Sequence, residues 1–470
     1  MVFHGADLTA PAIREAKVRV KSALVNSGFK YPSGTVNVCL DTEDGYPCRS
    51  VPDLPMAIGI LFVTGQLALQ EGVAVVGHLG LDGALLPTDG VVSKALQAHA
   101  DGVRTLYLPS ACAVEASLVP GLEVVPVHDL AELVAIVSGR IPKPVVPTHS
   151  DQPASSNPPV DLAEIRGQEH AKRALEIAAA GGHSILLVGP AGAGKTMLAR
   201  RLATLLPPMT ELEALEVATI HSGAGMYGQH AGLPTLRPFR APHHTVSDIA
   251  MTGGGQLPRP GETALAHHGV LYLDDLPEFR RDVLDLVAHI HVARESVVRT
   301  QRFGVVTFPA DFQLVGSMMP CLCGHLGDPR RACTCTTSQI EKYRARVIPF
   351  IESMFDLVVE VSQVAVETLR GSTTGETSSA VQARVMAARS RHVGRLPNAQ
   401  IEAKDLPTIA PLAASETAFI EKVVDRLGLS AEQYHRIVRV ARTVADLDGS
   451  VHVRVEHVAE AVQYGGRVPW

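Results

Sequence analysis

The sequence predicts an α/β protein, and three observations carry the prediction. Strand-like apolar runs alternate with helix-like runs through the first 140 residues. A glycine-rich loop ending in Lys195 and Thr196 stands between an apolar run, Ile185–Val188, and a helical pattern over Met197–Leu206. About 80 residues further on, the apolar run Val270–Leu273 ends in two acids, Asp274 and Asp275. At 470 residues the chain is too long for one ordinary core and is expected to form several domains. Its 46% apolar and 19% charged residues exclude wholesale disorder.

The first block, residues 1–140, opens with an amphipathic helix. Ile13, Ala16, Val20 and Leu24 fall on one side, and Arg14, Lys17 and Lys21 on the other. Strand-like runs follow at Thr35–Leu40, Val73–Val76, Thr105–Leu108 and Glu123–Val127, with helical runs at Val92–Ala100 and Asp129–Val137. The longest apolar stretch, Leu54–Thr64, is about half a membrane span and contains Pro55 and Gly59, so no transmembrane helix is predicted. No Arg-flanked apolar leader opens the chain, which places it in the cytoplasm as an expectation. A Pro- and Ser-rich linker is expected at 141–160, the nucleotide core at 161–368, and a helical domain at 369–470 after the polar run Gly371–Ser379. The net charge of −6 divides into −5, −3 and +2 over the three blocks. That balance excludes a protein coated in basic surface but leaves room for a local basic channel.

Gly189, Pro190, Ala191, Gly192, Ala193, Gly194, Lys195 and Thr196 fit G-x-x-x-x-G-K-[ST] in full, with the strand before and helix after that the motif requires. Such a loop turns backbone N–H groups around phosphates, and the helix N-terminus beginning near Met197 adds partial positive charge. Lys195 is expected on the β/γ-phosphates of ATP, and the Thr196 hydroxyl on Mg²⁺. Asp274 would hold Mg²⁺ through water, and Asp275 would orient the attacking water.

Cys321, Cys323, Cys333 and Cys335 bring four thiols into fifteen positions. Two short pairs separated by Gly324, Gly327 and Pro329 suit a tetrahedral structural zinc, although the one-residue gap within each pair is tighter than usual. A reducing compartment favours a metal over two disulfides, with free thiols or a redox pair as the other reading. Cys39, Cys48 and Cys112 read as small apolar residues. The pairs His243–His244 and His267–His268 read as polar loop packing or pore contacts ahead of metal ligands, because adjacent residues rarely face one ion.

The run Arg166–Leu202, the segments Arg237–Asp248, Pro258–Glu262 and Leu276–Leu284, and the four-cysteine segment resemble the magnesium-chelatase-like AAA+ ATPases of the YifB/ComM type over nearly the whole chain. The resemblance implies a P-loop AAA+ core, a Lon-protease-like N-terminal α/β domain and an α-helical C-terminal lid. It implies a nucleotide-dependent ring, a hexamer, and for ComM-type members DNA branch migration during transformation. Arg442 or Arg439 would then reach the nucleotide from the lid as sensor 2, and Arg237, Arg240, Arg299 and Arg302 could face a central pore or be ordinary ion-paired arginines. The Lon catalytic Ser and Lys lack counterparts, since Pro55 or Met56 and Val92 occupy those neighbourhoods, so no peptidase activity is expected. The chain also starts some way into the family pattern.

Three positions depart from that pattern. Asp275 stands where the family has Glu, with Glu278 nearby. Met319 replaces a sensor Asn, and a thioether cannot donate the hydrogen bond that positions water. Met354 replaces an Arg that could act on a neighbour's nucleotide, a loss typically costing about 10³–10⁵ in rate; Arg344 and Arg346 are nearby. The expected function is a DNA-acting ATPase. The alternatives are a hydrolysis-impaired ATP-binding scaffold and the ATPase subunit of a metal chelatase, the latter disfavoured because such subunits lack the N-terminal block.

Overall fold

A computed structural model describes residues 2–4, 10–39, 51–146, 160–227, 232–301, 303–328, 330–365, 368, 375–392, 394 and 396–465. The N-terminal block contains α1 (Ala10–Asn26), α2 (Asp53–Val63), β1 (Val73–Val75), α3 (Val91–Ala100), β2 (Thr105–Pro109), β3 (Glu123–Val127) and α4 (Leu130–Val137). The three strands form a parallel sheet in the order β1-β2-β3. The strand expected over Thr35–Leu40 is shorter, Asn37–Cys39, paired in parallel with Val2–His4, and residue 40 lies outside the described residues. The apolar stretch from Leu54 is helix α2. Pro55 sits in its first turn, where the missing N–H has no intrahelical partner to lose. Among the described residues no helix is long and apolar enough to cross a membrane. Asp129 caps α4, accepting the Glu132 N–H at 2.8 Å.

The core runs α5 (Glu169–Gly181), β4 (Ile185–Val188), α6 (Lys195–Leu205), α7 (Glu211–Gly223), β5 (Phe239–Arg240), β6 (Val270–Leu273), α8 (Arg281–Ala293), β7 (Glu295–Thr300), β8 (Gly304–Pro309), β9 (Gln313–Met318), α9 (Thr337–Ala345), α10 (Ile348–Met354) and β10 (Leu357–Glu360). Five strands form a sheet in the order β10-β4-β9-β6-β5, every neighbouring pair parallel, while β7 and β8 make an antiparallel hairpin beside it. Parallel strands covered on both faces need unbroken apolar sequence, and β4 and β6 are buried along their whole length. Because the strands run the same way, the loops after β4, β6 and β9 open at one edge of the sheet, the usual place for a ligand crevice in an open α/β sheet.

The tail holds α11 (Ser378–Arg389), α12 (Ala414–Leu427), α13 (Ala431–Leu447) and α14 (Val455–Gly465). These helices share one core with the sheet: Val385, Ile437, Val440, Val444 and Val458 lie in the same buried cluster as Ile185, Leu187 and Leu175. The opposite face packs Leu186, Leu271 and Leu314 against Val283, Val287 and Ile351. The N-terminal block docks through α3 onto α7, where Ser222 accepts the Gly90 N–H on its carbonyl at 3.0 Å and the Val92 N–H on its hydroxyl at 3.3 Å. Residues 147–159 of the expected linker and 371–374 of the second polar break lie outside the described residues.

Candidate functional site

The glycine-rich loop joins β4 to α6, and its glycines are there for different reasons. A Cβ on Gly189 would run into the Val361 carbonyl, so the loop leaves the sheet in contact with the chain after β10. Gly192 and Gly194 have φ of 75° and 91°, the left-handed region that side chains resist, and open space around them. Lys195 folds back over the loop, donating to the Gly189 carbonyl at 2.8 Å and the Pro190 carbonyl at 3.0 Å. Burial pushes its ammonium below the usual lysine range, opposed by the Asp275 and Asp274 carboxylates. Pro190 and Ala193 are buried, whereas Ala191, Gly192 and Met197 are exposed on the crevice side.

The acid pair closes the other wall. Thr196 donates its hydroxyl to Asp274 at 3.2 Å, so the two hard oxygen ligands expected for Mg²⁺ lie side by side. The other Asp274 oxygen accepts from the Tyr272 hydroxyl at 2.7 Å and from the Ser317 hydroxyl. Tyr272 and Ser317, neither singled out by sequence reasoning, fix the rotamer of Asp274 from β6 and β9. Asp275 adopts a left-handed backbone, φ 53° and ψ 57°, with its N–H donated to the Ser317 hydroxyl at 3.3 Å. Burial and then the neighbouring Asp274 raise the Asp275 carboxyl above the usual range, with Lys195 opposing. His244 and Glu278 complete its electrostatic surroundings.

A cavity of about 350 Å³ opens beside the loop, lined by Ala191–Gly194, Met197, Arg166, Gln168, Arg330 and Gln363. Gln168 has φ 60° and bridges the loop to the chain after β10, donating to the carbonyls of Ala193 and Ser362. Of the four non-glycine residues with positive φ among the described residues, Gln168 lines this cavity and Asp275 belongs to the acid pair, and such strain persists only where surroundings hold it.

The four cysteines converge. Cys321 Sγ is 3.4 Å from Cys323 Sγ, and Cys333 Sγ is 3.6 Å from both. Zinc with Zn–S bonds of about 2.3 Å in a tetrahedron spaces its sulfurs by about 3.8 Å, whereas a disulfide needs about 2.05 Å. Backbone N–H groups of Leu326 and Cys323 point at Cys321 and Cys335 sulfurs, each at 3.3 Å, a donor set that suits thiolates. The four-cysteine cluster can therefore hold a metal ion. Glu216, His267 and His268 also converge. There the Asp311 N–H is donated to His267 Nδ1 at 3.0 Å, so Nε2 carries the proton and donates to Glu216 at 3.3 Å, a hydrogen-bonded cluster rather than open ligands.

Family models cover most of the chain. Residues 161–369 match magnesium chelatase subunit ChlI, residues 375–465 its C-terminal part, and residues 3–112 the model described as subunit ChlI of Mg-chelatase. The chain is 39% identical to competence protein ComM of Haemophilus influenzae over 99% of its own length and 92% of that protein. It is 38% identical to the uncharacterized protein YifB of Escherichia coli over 97% of its length and 90% of that protein. The chain belongs to the magnesium-chelatase ChlI-like family. A magnesium-chelatase 67 kDa subunit of Heliobacterium mobile is 33% identical over 36% of this chain and 29% of that protein. The N-terminal block was expected to separate this chain from chelatase subunits. Since it matches a ChlI model itself, the separation rests instead on the full-length likeness to ComM and YifB.

Within this ChlI-like chain several expectations are corrected. Arg442 is not turned toward the glycine-rich loop: it is 3% exposed and donates to the Val451 and Ser450 carbonyls and to Asp446. Its neighbour Thr443 bonds His183 at 2.7 Å, which places this part of α13 at the N-terminal edge of the sheet. The P-loop lies beyond β4, about 13 Å away at some 3.3 Å per residue. Arg439 is likewise taken up by the Ile401 carbonyl at 2.8 Å. Arg237 is held by the Pro207 and His268 carbonyls and Glu213, and Arg240 pairs with Glu262 through two 2.7 Å bonds, the ion-paired reading rather than the pore. Arg299 is exposed on the β7–β8 hairpin, while Arg302 and Cys48 lie outside the described residues. Met354 is a core side chain at 7% exposure, Arg344 donates to the Pro320 carbonyl, and Arg346 is exposed.

Proposed function

We propose that the chain is a ring-forming AAA+ ATPase that binds ATP·Mg²⁺ and acts on DNA in the manner its likeness to a competence protein suggests. The observation that carries the nucleotide half is the Thr196–Asp274 contact, held from behind by Tyr272 and Ser317. The loop N–H groups and Lys195 would bind the phosphates, Thr196 and Asp274 the Mg²⁺, and Asp275 the water. Mg²⁺ would supply neutralisation of charge on the β- and γ-phosphates. The N-terminal block is taken as Lon-protease-like in fold, the four cysteines as a structural zinc centre, and a hexamer as the working state, with Arg346 available to a neighbouring subunit. For DNA the exposed Arg299 on the hairpin is the first candidate contact.

Phosphate release from purified protein, with and without branched DNA, tests this reading, with Lys195→Ala as the control. Release that survives the substitution would come from a contaminant. DNA affinity that stays flat between low and moderate salt would remove the phosphate-contact role. A second reading, an ATP-binding ring subunit that does not hydrolyse, is supported by the short Asp275 side chain and by Met319, whose sulfur packs on Gly324 rather than presenting a donor. Asp275→Glu separates the two: turnover appearing only in that variant favours the scaffold, whereas turnover in the native chain discards it.

A further inference from the structure

The cysteine segment touches the nucleotide crevice at three places. The Gly324 carbonyl, on the turn between Cys323 and His325, accepts the Ala191 N–H of the P-loop at 3.3 Å. Its Cα lies so close that an added Cβ would be 3.6 Å from Ala191 Cβ and 2.7 Å from Met319 Sδ. Between the two cysteine pairs, Arg330 lines the 350 Å³ cavity beside the loop, bringing a cation to the space an anionic nucleotide would enter. Asp328 holds that turn, accepting the Arg330 N–H at 2.8 Å, and also accepts at 3.0 Å from Gln363, which lines the same cavity.

The described part of this segment has no helix or strand of its own between Met318 and Thr337. Leu322 is 53% exposed, and of the four cysteines Cys321 alone is buried. Little apolar burial therefore holds the segment in shape, and a metal centre of this kind contributes its binding energy directly to local folding. Resting on the zinc reading of the cysteines, we propose that the four-cysteine centre sets the affinity of the nucleotide site: with zinc bound, the segment clasps the front of the P-loop and presents Arg330; without it, both contacts loosen. Coupling is reciprocal, so bound nucleotide must tighten zinc by the same factor.

The test uses the full chain. Zinc content is measured with a metallochromic indicator, and affinity for a fluorescent ADP analogue is compared between zinc-loaded and chelator-stripped protein. One zinc per chain and an affinity about tenfold weaker after stripping are expected, within the usual range of coupling between sites. A second measurement needs only loaded protein: zinc transfer to a chelator should slow by a similar factor when ADP is saturating. Arg330→Ala should keep its zinc, bind the analogue several-fold more weakly and show a smaller zinc effect. Full zinc content with equal ADP affinity, and zinc release indifferent to ADP, would overturn the coupling while leaving the zinc centre standing. A chain that binds no zinc would overturn both. A zinc effect of full size in Arg330→Ala would remove Arg330 as the carrier.

Discussion

The two edges of the central sheet both carry clusters of acids and bases, yet they differ in what those groups are doing. At the C-terminal edge Lys195, Thr196, Asp274 and Asp275 gather beside the glycine-rich loop, Gln168 and Asp275 have strained backbones, and the Asp275 carboxyl and Lys195 ammonium are both shifted toward neutrality by burial. At the N-terminal edge His183 bonds Thr443 at 2.7 Å and Asp356 at 3.3 Å, and Asp356 pairs with Arg436. A second group follows: Asp446 accepts from Asn398 at 2.8 Å and Arg442 at 2.9 Å and meets His392 at 3.2 Å. These charges fasten α13 to the sheet and to its own C-terminal turn. Charge at a sheet edge is therefore no sign of chemistry by itself; charged groups pushed toward neutrality beside a glycine-rich loop are the better pointer.

That contrast breaks if the two edges respond alike. Asp446→Ala strands the buried Arg442 guanidinium without its carboxylate, and removing one partner of a buried pair costs about 3–5 kcal/mol. Urea denaturation should register that loss, while ADP affinity at temperatures where the fold holds stays unchanged. A loss of ADP affinity in folded protein would place α13 in the nucleotide site after all. Lys195→Ala should do the reverse, cutting turnover by about 10²–10³, the scale of losing one electrostatic partner of a transferring group. Its melting temperature should hold or rise, because the buried ammonium makes, among the described residues, two hydrogen bonds, both to loop carbonyls.

What the sequence made legible follows the same division. The strands at Ile185–Val188 and Val270–Leu273 and the helices around them came through because periodicity and motif agreed, and the structure reproduces them within a residue or two. The P-loop and acid pair were legible because their chemistry demands fixed residue types at fixed spacing. Tyr272, Ser317 and Gln168 were not, because a hydroxyl inside an apolar strand or an amide before a helix carries no spacing signal. The roles of Tyr272 and Ser317 exist only once β6 and β9 are neighbours, and that of Gln168 only once the chain after β10 runs beside the loop. Arg442 was misread for the converse reason: two arginines three apart on a helix say nothing of which edge of the sheet the helix crosses.

Ser317→Ala sharpens the comparison on a smaller scale. Its hydroxyl serves both Asp274 and the Asp275 N–H, and a hydrogen bond to a charged group is worth about 1.5–3 kcal/mol. The loss should appear as a higher Mg²⁺ requirement for nucleotide binding rather than as a lower melting temperature. A stability loss with unchanged Mg²⁺ dependence would make Ser317 a packing residue, like those at the opposite edge.

The smallest effect is the most direct measure of an edge built for ligand rather than for stability. Burial and the Asp274 charge make the folded Asp275 carboxyl hold its proton to higher pH than the unfolded chain does. Below the ordinary carboxylate range both states are protonated and the residue costs nothing. As pH rises through that range the unfolded state ionises first, so stability falls until the raised folded value is passed, and the deficit then stays constant. Asp275→Asn removes the deficit, so in the absence of nucleotide the variant should match the native chain in acid and melt higher at neutral pH. The half-exposed position keeps that gain small through solvent screening. A variant that melts lower at neutral pH would mean that Asp275 stabilises the fold through Lys195, and the C-terminal edge would then be fastened as the other one is.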